Sequence, residues 1–184
     1  MGEQYNNTTT AAFLQRLSQG KGMPGSGCAA AFSALMGISI LQSVCKITLK
    51  KTDYTDSYPQ LDKALQLLNQ QYYPQLEVLM QQDADAVTDM LKNTITKELT
   101  TTPIAISKSC IDVLKTALEV FDNTYQPMLG DSATAIAMIN SAINATLFIS
   151  KANTRKNNTL KSEVERIEEE YLQLKHEVSR RQII

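Results

Sequence analysis

The chain has no tryptophan, a single histidine (His176) and only three cysteines among its 184 residues. One histidine excludes a histidine-based metal site and a Ser–His–Asp triad. Cys28, Cys45 and Cys110 are an odd number without CxxC spacing, and two of them fall in apolar runs. They read as small buried hydrophobes in a reducing compartment. Neither sign of charge dominates: 18 Lys and Arg face 19 Asp and Glu, a net charge of −1. A nucleic-acid binder normally carries a basic excess or stripe, so no such partner is expected. The first ten residues, MGEQYNNTTT, lack the basic stretch and apolar core of a signal peptide. Asn6 stands where a myristoylation signal wants Ser or Thr. The expected compartment is the cytoplasm.

Alternating strand patterns of any length are also missing, and Gly and Pro concentrate between helical segments, so the expected class is all-α. A chain of this length suits one domain, which buries about 70% of the surface its unfolded form exposes. One domain over 1–184 is expected, with 1–8 flexible. The architecture is a bundle of five to six helices. Thr8–Thr10 can cap a first helix carrying Phe13, Leu14 and Leu17. Gly20, Gly22, Pro24, Gly25 and Gly27 then break it. Pro59 suits the first turn of a third helix, and Pro74 is expected to kink or divide that helix. A helix around Ile95 is expected to be interrupted or restarted at Pro103, and Asp122–Gly130 reads as a loop. From Thr159 the composition turns charged. Leu160, Val164, Ile167, Tyr171, Leu174 and Val178 form a heptad-like seam, so 159–184 is expected to dock by one face.

No charged residue lies between Cys28 and Val44 or between Ser132 and Ser150. Both runs approach the roughly 20 residues that cross a bilayer. Gln42, Asn140 and Asn144 interrupt them, alanine keeps their hydrophobicity modest, and no aromatic belt flanks them. They read as two small-residue helices buried in a soluble bundle or dimer.

Three elements could carry chemistry. Gly20–Cys28 is a glycine-rich turn opening an uncharged helix, where backbone N–H groups and the helix dipole suit a carboxylate, a phosphate or a polarised carbonyl. It is neither a Walker loop nor a dinucleotide fingerprint, and taken alone it reads first as a plain helix–helix turn. Asp83 and Asp85 lie about 200° apart around a helix, so at most one points inward. A buried aspartate there would be a general acid or base. Asp131-Ser132 reads first as a cap for the second uncharged helix. Lys151, Asn153, Arg155 and Lys156, near that helix's end, form a basic polar cluster able to meet an anionic tail, although cations favour a helix C-terminus anyway.

In this order the segments resemble the cyclodeaminase/cyclohydrolase family of folate enzymes. The Phe-Leu start, glycine loop and alanine-rich helix read FLQRLSQGKGMPGSGCAAAFSALMG from Phe13 to Gly37. Thr48, Lys51 and Tyr54 match a further element, as do Asp83, Ala84 and Ala86, Thr101–Ile104, Asp131, and Asn153. The departures are Met23 for Thr, Ser26 for Gly, Cys28 for Ser, Ile149 for Asn, and a shortened segment around Lys92–Thr96. The resemblance implies a homodimeric helical bundle with the folate cleft beside the glycine loop, near the subunit interface. It implies cyclodeamination of 5-formimino-tetrahydrofolate to 5,10-methenyl-tetrahydrofolate, or hydrolysis of the methenyl compound, with no cofactor beyond the tetrahydrofolate substrate. Asp83 or Asp131 would move protons. Pro24, Gly25, Ser26, Gly27, Lys51, Tyr54, Lys151, Asn153 and Arg155 would bind the substrate. The alternative is a divergent, non-catalytic folate-binding or structural dimer of the same fold.

Overall fold

The computed structural model describes Gln4, residues 8–155 and residues 157–183. The expected flexibility of 1–8 and the place of Lys156 therefore fall largely outside the described residues. Seven α-helices run in chain order: α1 (Thr10–Leu17), α2 (Ser26–Thr48), α3 (Tyr58–Leu67), α4 (Tyr73–Leu91), α5 (Glu98–Asp122), α6 (Leu129–Asn153) and α7 (Asn158–Arg180). A π turn over Leu68–Tyr72 joins α3 to α4, making them two parts of one rod, so the bundle has six rods among the described residues. No strand occurs among those residues.

Each boundary has a local cause. Thr9 caps α1 by accepting from the Ala12 N–H at 3.2 Å. Pro59 and Pro74 both fall in the first turn of their helices, where a missing N–H costs nothing. The π turn before Pro74 is the division the sequence predicts. Pro103 behaves otherwise. It lies inside α5, which starts at Glu98 and runs through it without a restart, while Ile95 lies outside any helix and is exposed. The Asn153 side-chain amide donates to the Leu99 carbonyl at 2.8 Å, the group that Pro103 leaves without its helical donor. The cap expected at Asp131 is also corrected. A short 3-10 turn over Gln126–Met128 feeds directly into α6, whose N-cap is Met128, and Asp131 sits in the first turn.

The two uncharged helices pack against each other in antiparallel fashion. Ser33 Oγ donates to the Met138 carbonyl at 3.2 Å, and Thr48 Oγ1 accepts from the Tyr125 N–H at 3.2 Å. Gly37 is needed for this approach, because a Cβ there would lie 3.0 Å from the Ala135 carbonyl oxygen. Both helices are long and apolar enough to cross a membrane; 56% of the window in Ser26–Thr48 and 50% of that in Gln126–Asn153 is buried inside the protein. On the far side of α6, Ser107 of α5 donates to Thr146 Oγ1 at 2.8 Å, a polar link inside an apolar interface.

α7 docks by the predicted seam. Val164, Ile167, Tyr171 and Val178 are buried, each contributing about 1.5–3 kcal/mol. Ion pairs from Lys108 to Glu163 and from Lys115 to Glu170 flank the seam. Such exposed pairs are worth at most about 1 kcal/mol each, so apolar burial holds this helix.

Candidate functional site

Gly25 is the N-cap of α2 and offers no side chain to its first N–H groups. α4 runs antiparallel beside α2 and supplies the missing acceptor: the Asp83 carboxyl takes a backbone hydrogen bond from Cys28. Asp83 is 5% exposed, whereas Asp85, on the opposite face, is exposed and accepts from Gln81. The helical phase predicted that only one of the two turns inward, and it is Asp83.

The glycines allow this carboxyl its position. A Cβ on Gly27 would sit 2.3 Å from Asp83 Oδ1, so no other residue fits without displacing the acid. A Cβ on Gly25 would meet Val87 at 3.4 Å and Asp83 Oδ2 at 3.8 Å. Gly22, at φ +75, lies against Leu91. Asp83, Val87 and Leu91 thus form a stripe at i, i+4 and i+8 along the loop. Pro24 is buried and Ser26 exposed, and Met23 Sδ accepts from Thr88 Oγ1 at 3.2 Å.

Burial raises the Asp83 carboxyl above its ordinary value, and the Cys28 hydrogen bond pulls the other way without cancelling it. Asp83 Oδ2 has no hydrogen-bond partner among the described residues. A buried carboxyl of this kind carries a proton more readily than a surface one, which suits acid–base chemistry. Cys28 is no nucleophile, because burial, with Asp83 beside it, pushes its thiol up to about 12. Cys45 and Cys110 are likewise buried, free and pushed up to about 12.

The remaining predicted residues fall into two other groups. Lys51, Tyr54 and Asp131 lie at the opposite end of α2. Tyr54 Oη accepts from the Gln126 N–H at 3.1 Å and its ring meets Tyr125 edge-on at 5.5 Å. Lys51 Nζ stands 4.7 Å from the centre of the Tyr125 ring. α2 has 23 residues, so its two ends are about 33 Å apart. Asp131 is exposed there and does not converge with Asp83 within the chain.

The second group follows the C-terminus of α6. Lys151 pairs with Glu168, and Asn153 is bonded to Leu99. Lys151 and Arg155 line a groove of about 340 Å³ with Lys161, Val164, Glu165 and Glu168 of α7; neither Asp83 nor the glycine loop lines it.

Sequence reasoning missed the Val87 and Leu91 contacts and the Thr88–Met23 bond. The four-residue spacing from Asp83 was the available signal, readable only once α4 is known to run antiparallel to α2.

Comparison with known proteins bears on the family and the fold. Among curated protein sequences, none matches the chain. Among solved structures, the crystal structure of formiminotetrahydrofolate cyclodeaminase from Thermotoga maritima is similar, with a TM-score of 0.83 at 16% identity. The match covers 92% of this chain and 91% of that one, and at this identity it establishes the fold. The family model described as formiminotransferase-cyclodeaminase matches residues 9–173, most of the chain and every element of the Asp83 site. The chain therefore belongs to the formiminotransferase-cyclodeaminase family.

Proposed function

We propose that the protein is a cytoplasmic, homodimeric folate one-carbon enzyme that closes 5-formimino-tetrahydrofolate to 5,10-methenyl-tetrahydrofolate with release of ammonia. One observation carries the reading: a buried carboxyl, Asp83, raised above its ordinary value, at the glycine-lined N-terminus of α2. In the reaction N10 attacks the formimino carbon, a C–N bond forms, and the former formimino nitrogen leaves as ammonia. Asp83 accepts the N10 proton and returns one to the departing nitrogen. Neither step changes an oxidation state, and no cofactor beyond the folate is assigned. The Gly25–Gly27 backbone, with Pro24 and Ser26, positions the ligand.

Lys51, Tyr54 and Asp131 lie about a helix length from Asp83. In this reading they complete the site across a two-fold dimer, with Asp131 from one protomer facing Asp83 from the other. Lys151, Asn153 and Arg155 lie at the same end of the bundle as Asp83, and Lys151 and Arg155 offer charge to the glutamate tail.

Hydrolysis of the methenyl compound needs the same proton transfer, with water in place of the amine. A second reading, a folate-binding dimer without turnover, is supported by the cap that Asp83 already makes to Cys28 and by Met23 and Ile149. Purified protein is assayed for ammonia release from 5-formimino-tetrahydrofolate and for loss of methenyl-tetrahydrofolate absorbance. Turnover that falls by about 10²–10⁴ in Asp83→Asn supports catalysis by Asp83. Folate binding without acceleration of either reaction favours the second reading, and turnover unchanged in Asp83→Asn removes Asp83 from the mechanism.

A further inference from the structure

The bundle leaves about half of the apolar window of α2 and of α6 uncovered. The partly or fully exposed positions form stripes at alternating spacings of three and four. On α2 the stripe is Ser33, Met36, Ile40 and Ser43; on α6 it is Asp131, Thr134, Met138, Ser141, Ala145 and Phe148. α5 shows the ordinary content of such a stripe, with Lys108, Asp112, Lys115 and Glu119 exposed. The α2 stripe holds no charge, and the α6 stripe holds only Asp131, at its first position. Phe148, at the other end, is 74% exposed. An uncharged face of this length with an aromatic ring standing out of it marks an interaction surface.

The two stripes lie side by side, because Ser33 Oγ donates to the Met138 carbonyl at 3.2 Å. Gly27, which touches Asp83, precedes Ser33 by six residues, and Asp131 precedes Met138 by seven. Since the helices are antiparallel, the two aspartates fall on opposite sides of the Ser33–Met138 contact and at nearly equal heights from it. A two-fold axis through that contact therefore brings Asp131 of the partner subunit to the level of Asp83. A bilayer spanned by α2 and α6 would also take in the four charges on α5, so lipid does not fit as the cover.

We propose that these stripes are the contact with a second copy of this chain, across a two-fold axis at Ser33 and Met138. Each copy presents the same surface to the other, as an isologous contact requires. Use of Asp131 beside Asp83 rests on the folate reading above, whereas the contact itself does not.

Analytical sedimentation of the full chain should give twice the chain mass. Phe148→Lys and Thr134→Lys alter exposed residues, so each should keep its helical circular dichroism while the dimer dissociation constant rises about thirtyfold or more. Val78→Lys, at a 54% exposed position on α4 outside the stripes, should leave the dimer intact. Under a copper–phenanthroline oxidant, Met138→Cys should cross-link to its own copy, since residues at the axis meet themselves. Phe148→Cys should not, because its two copies stand about 30 Å apart, and the native cysteines are buried. Asp83→Asn should stay dimeric whatever its turnover, so the contact and the folate reaction fail separately. A monomer at about 50 µM, well above the micromolar range of weak dimers, overturns the proposal. A dimer that withstands both lysine substitutions overturns it too, as does self-cross-linking through Phe148→Cys instead of Met138→Cys. A monomer that sediments with phosphatidylcholine vesicles would make lipid the cover and overturn it as well.

Discussion

Asn153 and Leu99 are joined across the end of the bundle: the Asn153 amide donates to the Leu99 carbonyl at 2.8 Å, four residues before Pro103. Proline removes the N–H that would meet that carbonyl, and a residue on another helix supplies the replacement. The bond fixes the start of α5 against the end of α6. Asn153→Ala should lower stability by about 1 kcal/mol, and the melting temperature by about 2–4 °C. In a Pro103→Ala background the helix recovers its own donor, so Asn153→Ala should cost measurably less. Equal losses in both backgrounds, read by thermal melts, would show that the bond does not serve the proline.

A similar coupling joins Gly27 and Asp83. With only 2.3 Å between a Cβ on Gly27 and Asp83 Oδ1, Gly27→Ala forces the carboxyl away from the α2 N-terminus. Overpacking of this kind costs about 1–3 kcal/mol. Asp83→Ala removes the obstructing oxygen, so Gly27→Ala should cost much less in that background. A double-mutant cycle by urea denaturation measures the coupling. Additive effects would place the Asp83 carboxyl elsewhere.

The sign of the Asp83 shift predicts a pH dependence. The folded chain holds this carboxyl above the 3.8 of an ordinary aspartate, chiefly through burial. Below 3.8 the group is protonated in both states and costs nothing. As pH rises the unfolded chain ionises first, so the native state loses relative stability up to the folded value and stays lowered above it. Asp83→Asn, which cannot ionise, should therefore gain on wild type as pH rises through that window. Denaturation curves from acid to neutral pH test it. A gap that stays constant or narrows would contradict the shift.

Which features the sequence revealed follows from the range of the interactions involved. The α7 seam and the uncharged α2 and α6 depend on periodicity within one segment, and each is where the pattern puts it. Helical phase also allowed at most one of Asp83 and Asp85 to turn inward, but which one depends on how α4 meets α2. Pro74 and Pro103 look alike in sequence yet act differently. The first starts a helix after a π turn, and the second is tolerated inside one beside Asn153, fifty residues later in the chain. Asp131 has the composition of a cap, but the turn at Gln126–Met128 starts α6 earlier. The division of the site residues between two ends of the bundle depends on α2 and α6 being antiparallel, which no local pattern encodes.

The docking of α7 separates two contributions that are easily confused. Ile167 is 2% exposed, and Ile167→Ala should cost about 2–5 kcal/mol through lost contacts and a residual cavity. Lys115, paired with Glu170 at 2.6 Å on the surface, should lose no more than about 1 kcal/mol as Ala. Added salt should leave the first loss unchanged and shrink the second. Chemical denaturation by urea at two ionic strengths gives both numbers, and a reversed order would make α7 an electrostatically held element.

The proposed division of the site between protomers can be tested without a structure of the dimer. If Asp83 of one chain works with Asp131 of the other, Asp83→Asn and Asp131→Asn homodimers each contain two impaired sites. A mixed dimer contains one doubly substituted site and one intact site. Mixing the two variants, unfolding and refolding them together, should then restore about a quarter of wild-type turnover, because half the dimers are mixed and each has one good site. Sites built within one chain would give no recovery, since every site would keep one of the substitutions. An Asp131→Asn homodimer with full activity would remove Asp131 from the reaction altogether, leaving Asp83 and the glycine loop to carry it.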